Sequence, residues 1–129
     1  MCRIVTVIHQ KDSVLENMII KRLSKRRSEN KDKVVIVNYG DDKIESSLRH
    51  FDIIGYKGKT SDLRNLDYNS AFIHLPMSKI DNHMELLYET DLIILSSINS
   101  VVSLSDFRLA SAIFNKPELF DKTTLIFEA

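Results

Sequence analysis

Arg3-Ile-Val-Thr-Val-Ile-His9-Gln-Lys-Asp-Ser-Val-Leu-Glu16-Asn-Met-Ile-Ile20 is the stretch from which the rest of the chain can be read. Its first six residues, Arg3 to Ile8, are an apolar, β-branched run, too short for a helix and followed by polar residues. That is how a parallel strand buried on both faces reads. From Val14 to about Glu29, Val14, Leu15, Met18, Ile19 and Leu23 fall at helical spacing, with Ser13 placed as an N-cap and Glu16 as its capping-box partner. The turn between strand and helix contains no glycine. The chain has three, Gly40, Gly55 and Gly58, so neither a P-loop nor a dinucleotide G-x-G-x-x-G turn can be built after the first strand.

Working outward, Lys33-Val-Val-Ile-Val-Asn38 reads as a second buried strand. Ser70-Ala-Phe-Ile-His-Leu75, ended by Pro76, is a third, Asp91-Leu-Ile-Ile-Leu95 a fourth, and Thr123-Thr-Leu-Ile-Phe127 the last. Between them Lys79 to Glu89 is expected as a helix with Ile80, Met84, Leu87 and Tyr88 on one face. Ser103 to Phe114 is expected as another, capped by Ser103 with Asp106 at N3, its core face formed by Leu104, Phe107, Ala110, Ile113 and Phe114. The polar segment 39–66 holds all three glycines and is given only a helical turn from Ile44 to His50 and a weak strand from Phe51 to Tyr56. Strands alternating with helices imply right-handed crossovers, hence an open, three-layer, mainly parallel α/β sheet with helices on both faces. Ligands of such sheets sit beyond the carboxyl ends of the strands, here the segments beginning at His9, Asn38, His74 and Ser96.

Composition narrows the function classes. The 129 residues carry 18 Lys plus Arg against 18 Asp plus Glu, a balance that removes the global attraction to phosphate on which strongly basic domains rely. The size fits one domain, 1–129. A lone cysteine, Cys2, can form neither an internal disulfide nor a multi-cysteine zinc cage, in keeping with a reducing cytoplasm. It is expected as a small buried apolar group at the edge of the sheet opposite the ligand-binding end. No apolar run approaches the roughly 20 residues of a membrane span.

The segment His9-Gln-Lys-Asp-Ser-Val-Leu-Glu-Asn17 resembles the first motif of the ParA/MinD-type deviant Walker ATPases, K-G-G-V-G-K-T. Lys11 falls on the signature lysine and Val14 on the valine. Asp12, Ser13 and Leu15 stand at the glycines, Glu16 at the phosphate lysine and Asn17 at the magnesium-holding hydroxyl. Val34-Val-Ile-Val-Asn38-Tyr-Gly-Asp41 is similar to the family's V-L-L-I-D-A-D, with Asn38 at the aspartate. Asp67-Tyr-Asn-Ser-Ala-Phe-Ile-His74-Leu-Pro76 is similar to its Walker B strand, with His74 at the metal-organising aspartate. Thr90-Asp-Leu-Ile-Ile-Leu95 and the later Ser103-Leu-Ser-Asp106 resemble a further segment. The last strand ends in Glu128-Ala129, where the family supplies an asparagine for the base and then further helices.

The resemblance implies a truncated P-loop NTPase-like domain without a functional P-loop: a cytoplasmic, non-catalytic pseudo-ATPase acting as a protein-binding adaptor, with no cofactor, metal or catalytic residue. Lys11, Asp12, Ser13, Glu16, Asn17, Asn38 and His74 are its degenerate nucleotide-site positions. The partner it implies is a second copy, an active paralogue or a membrane-associated assembly such as a pilus, secretion, flagellar or polysaccharide-export apparatus. Specific nucleic-acid recognition is not expected. Peripheral membrane contact would come through the cluster Lys21, Arg22, Lys25, Arg26 and Arg27, a candidate anion-binding patch whose plainer reading is a solvated helix end complementing the macrodipole. The alternative is a receiver-like or flavodoxin-like signalling domain without a phosphoacceptor, since His9-Gln10 and His74 stand where its acids would be. Strand order separates the two: the ATPase sheet places the third strand between the first and second, a receiver the first between the second and third. A third reading, an enzyme using His9, Lys11, Glu16 and His74, would need those groups to converge in one pocket.

Overall fold

A computed structural model describes residues 2–9, 15–39, 51–55, 59–98, 111, 113 and 115–128. Six strands, β1 Arg3–His9, β2 Val34–Asn38, β3 Asp52–Gly55, β4 Ser70–Pro76, β5 Leu92–Ile98 and β6 Thr123–Glu128, form one open sheet in the order β3-β2-β4-β1-β5-β6. Every pairing is parallel. β4 lies between β1 and β2, with Val5 beside Phe72 and Ile36 beside the same Phe72. This is the P-loop-type order, and it overturns the receiver-like or flavodoxin-like alternative, whose sheet runs 2-1-3-4-5.

Strands covered on both faces bury alternate residues in opposite layers. On one face Val5, Val7, Val34, Ile36, Phe72 and Ile94 pack under helix α1, Leu15–Glu29, through Ile20 and Leu23. On the other, Ile4, Ile8, Val35, Val37, Ile73, Leu75, Ile93 and Leu95 lie under shorter pieces. These are two 3₁₀ segments, Thr60–Asn65 and Met77–Asn82, and two α-helices, α2 Met84–Glu89 and α3 Pro117–Phe120. Leu63, Met77, Ile80, Leu86, Leu87 and Leu119 anchor them. No helix among the described residues is long and apolar enough to cross a membrane.

The helix expected over Lys79 to Glu89 is two pieces broken at His83, whose φ of −131° and ψ of 31° leave the helical region. Asp81, Asn82 and His83 give the backbone little helical preference there. The 3₁₀ turn that replaces it eclipses residues three apart and buries Met77 with Ile80, while Leu86 and Leu87 turn inward. Tyr88, assigned to the core face, is 47% exposed. The weak strand over Phe51 to Tyr56 is β3, a short edge strand. The segment Thr60–Asn65, unassigned from sequence, is held by fully buried Leu63. The helical turn Ile44 to His50 lies outside the described residues, as does most of the helix Ser103 to Phe114. Of the latter, Ser111 and Ile113 are helical, and the Ser111 carbonyl accepts from the Asn115 N–H at 2.9 Å.

Helix α1 ends in a Schellman turn: the Asp32 N–H donates to the Arg27 carbonyl at 3.1 Å and the Lys31 N–H to the Ser28 carbonyl at 3.0 Å. Lys31 occupies the left-handed position with φ 65°, where a Cβ is strained and glycine is not. Lys31→Gly is therefore expected to stabilise the protein by about 0.5–1 kcal/mol, the strain relief exceeding the entropy of the freer unfolded chain. A urea melt whose midpoint does not rise would refute this.

At the amino end of the sheet, the Asp91 carboxylate accepts from the Ile4 N–H at 2.9 Å and from Arg64 at 3.0 and 3.1 Å. Arg64 also donates to the Glu89 carbonyl. Beside this, buried Thr6 Oγ1 donates to Thr90 Oγ1 at 2.9 Å, which donates on to the Ile4 carbonyl at 3.1 Å. Cys2 lies here, 1% exposed as expected. Burial pushes its thiol pKa up, so it stays protonated and unreactive at neutral pH.

Candidate functional site

A parallel sheet aligns the carboxyl ends of its strands, and the register fixes which of them are neighbours. Asn38, last in β2, stands beside His74 of β4. Val7 of β1 flanks the same histidine on its other side. By alternation with Val34, Ile36 and Phe72, Asn38 and His74 belong to the face that α1 covers. Two of the residues singled out from sequence are thus brought together at the strand ends where this architecture binds ligands. His74 is 4% exposed and Asn38 half-buried. The backbone of His9 ends β1 between Pro76 and Ser96.

Glu16 and Asn17 follow Leu15 in the first turn of α1. Lys11, Asp12 and Ser13 lie outside the described residues. Of the basic cluster, Lys21, Arg22, Lys25 and Arg26 are exposed. Arg27 is half-buried and faces Asp32 across 3.8 Å.

Three residues that the sequence did not single out complete the edge. The Tyr39 N–H donates to the His74 carbonyl at 3.0 Å, and Lys79 Nζ donates to the Tyr39 carbonyl at 3.1 Å. The His83 ring meets the Tyr39 ring edge-on, 4.9 Å between centroids. Burial, with the Lys79 ammonium adding to it, holds the His83 pKa below its ordinary value, so the imidazole is neutral at pH 7. The signal available in the sequence was positional. Tyr39 follows the last residue of β2 directly, and Pro76 ends β4 just before the segment bearing Lys79 and His83.

Among the described residues the chemistry of this edge is that of neutral donors and acceptors plus one ammonium. Hard divalent cations are held by carboxylate oxygens, and the two strand-end residues in register are an amide and an imidazole. Among the described residues no three His, Cys, Asp or Glu side chains converge to hold a metal.

No protein-family model matches the chain, and no curated protein matches it. Among solved structures, a ParA family ATPase from Chlorobium tepidum TLS matches with a TM-score of 0.63, covering 98% of this chain and 73% of that one at 12% sequence identity. At that identity the likeness carries the fold, a ParA-like P-loop-type sheet, and nothing further.

Proposed function

We propose that this chain is a non-catalytic relative of the ParA/MinD ATPases that works by binding a protein partner. The observation that supports the reading best is the in-register pair Asn38 and His74, at the two strand ends where the resemblance puts aspartates. An amide and a buried imidazole supply no anionic oxygen for magnesium, so the residues present do not fit a magnesium nucleotide. Glu16 adds to this. It stands in the first turn of α1, and a glutamate there is the wrong charge for phosphate where the resemblance calls for a lysine. With neither metal carboxylates nor phosphate lysine, the sheet remains as a platform whose faces and edges bind. The partner, by resemblance, is a second copy, an active relative or a membrane-associated assembly of the pilus, secretion, flagellar or polysaccharide-export kind.

Thermal unfolding with ATP plus magnesium, ADP and GTP tests the reading. A ligand present at about a hundred times its dissociation constant adds about 2.7 kcal/mol, and no such shift is expected for any of the three. A nucleotide-specific rise in melting temperature, or micromolar ATP binding in calorimetry that Glu16→Ala leaves unchanged, would overturn it.

A further inference from the structure

The two layers that cover the sheet carry opposite charge. Helix α1, alone on its face among the described residues, has five cations, Lys21, Arg22, Lys25, Arg26 and Arg27, against Glu16 and Glu29. Lys21, Arg22, Lys25 and Arg26 are exposed, and none has an ion pair with a described residue. They fall at i, i+1, i+4 and i+5, two adjacent rows on one helical face. The opposite face of α1 is pinned by buried Ile20 and Ser24, so the cations stand on a fixed scaffold.

The layer on the other side of the sheet exposes more acids than bases among the described residues: Asp62, Asp81, Glu85, Glu118 and Asp121 are exposed there against Lys59 and Lys116, and its other two lysines are turned to backbone carbonyls. Lys79 donates to Tyr39, and Lys122 to Tyr88 and Thr90 at 3.0 and 2.6 Å. Within this layer a cavity of about 520 Å³ is walled by Glu85, Tyr88 and Glu89, with Lys59, Thr60 and Ser61 completing it. Among the described residues the exposed large hydrophobic side chains, Tyr88 at 47% and Phe120 at 52%, both belong to this layer. Carboxylates beside an exposed aromatic face are what a guanidinium or ammonium seeks, through ion pairing and cation–π attraction.

We infer that the basic face of α1 docks on the acidic, aromatic layer that carries α2 and α3 on a second copy of this chain. The sheet separates the two surfaces, so one molecule cannot satisfy both itself. A net charge of zero leaves no global repulsion between copies. The contact is heterologous, basic face to acidic face, and propagates into stacks unless its rotation closes a ring. The apolar side of α1 is turned to the sheet, which leaves no wedge for a bilayer. This inference is independent of whether nucleotide binds at the strand ends.

Sedimentation velocity of the whole chain over a concentration series tests it, at about 0.01 M ionic strength, where the Debye length is about 30 Å, and at about 1 M, where it is about 3 Å. Concentration-dependent association is expected at low salt and a monomer at high salt. Two charge-reversed variants follow, Lys21→Glu/Arg22→Glu/Lys25→Glu/Arg26→Glu and Glu85→Lys/Glu118→Lys/Asp121→Lys, each checked for wild-type circular dichroism. Each alone is expected to lose association by at least tenfold, and an equimolar mixture of the two to recover it, since the mixture restores opposite charge across the contact. A wild-type monomer at low salt, association that survives either reversal, or a mixture that stays monomeric overturns the inference. So does a monomer that binds duplex DNA or phosphatidylserine vesicles through the α1 cations.

Discussion

Phe72→Ala is expected to cost about 3–5 kcal/mol, the range for truncating a buried phenylalanine. Phe72 is 2% exposed in β4, an interior strand of the sheet, and packs with Val5, Val7, Ile20, Val34, Ile36 and Ile94. The loss has two parts, the transfer energy of the ring and the cavity left in a layer whose strands cannot close in without breaking their ladders. Against a typical total of about 5–15 kcal/mol, this leaves many of the molecules unfolded or close to it. The same ring supports α1, so local opening of that helix should rise first. Hydrogen exchange of the α1 amides at low denaturant would report it, and a urea midpoint close to wild type would refute the prediction.

Asp91→Ala should cost about 2 kcal/mol, mostly from the interior side of its contacts. The substitution strips the Ile4 N–H at the start of the central strand of its acceptor and leaves Arg64 facing the Glu89 carbonyl and carboxylate alone. An orphaned backbone donor accounts for about 1–3 kcal/mol. The ion pair itself adds little, because the Asp91 side chain is 36% exposed and solvent screens it. Burial acts to raise the Asp91 pKa, but the hydrogen bonds from Arg64 and the Ile4 N–H outweigh it and hold the carboxyl below its ordinary value. The sign follows from the depressed folded value. The stabilisation is complete above the unfolded pKa of about 3.9 and drains away as pH falls through the folded one. Wild type minus Asp91→Asn, compared by urea melts at pH 7 and near pH 2.5, should show a difference that shrinks in acid. A difference independent of pH would refute it.

The strongly apolar strands were legible because a buried parallel strand needs no partner to declare itself: Val34 to Val37 or Ala71 to Leu75 have few other ways to be satisfied. The existence of α1 was legible from Val14, Leu15, Met18, Ile19 and Leu23, whose spacing only a helix turns to one side, whereas Ile20, which the structure buries against the sheet, was not among them. Strand order was not, since nothing local in Ser70–Pro76 says that it separates β1 from β2. It was reached through resemblance and needed the structure to decide. Short elements were lost for a different reason. Thr60–Asn65 and Pro117–Phe120 each hang on one buried leucine, Leu63 and Leu119, too few positions for a period to appear. The break at His83 hid because Ile80, Met84 and Leu87 fit a continuous helix as well as two pieces. At the candidate site, Asn38 and His74 were found through the motifs they replace, whereas Tyr39, Lys79 and His83 meet through a lysine-to-carbonyl hydrogen bond and a ring contact, which no motif announces.

The strand order also sets a timetable for biogenesis. β1 precedes every other strand in the chain yet pairs with β4 and β5 and with nothing nearer in sequence. On a ribosome moving at about 5–20 residues per second, β1 waits roughly 3–12 s for β4 to be made. Through that interval Ile4, Val5, Val7 and Ile8 have no ladder to join, and β2 lacks its inner neighbour too. Loop closure over such separations makes folding slow, and the unpaired apolar strands are open to aggregation until β4 emerges.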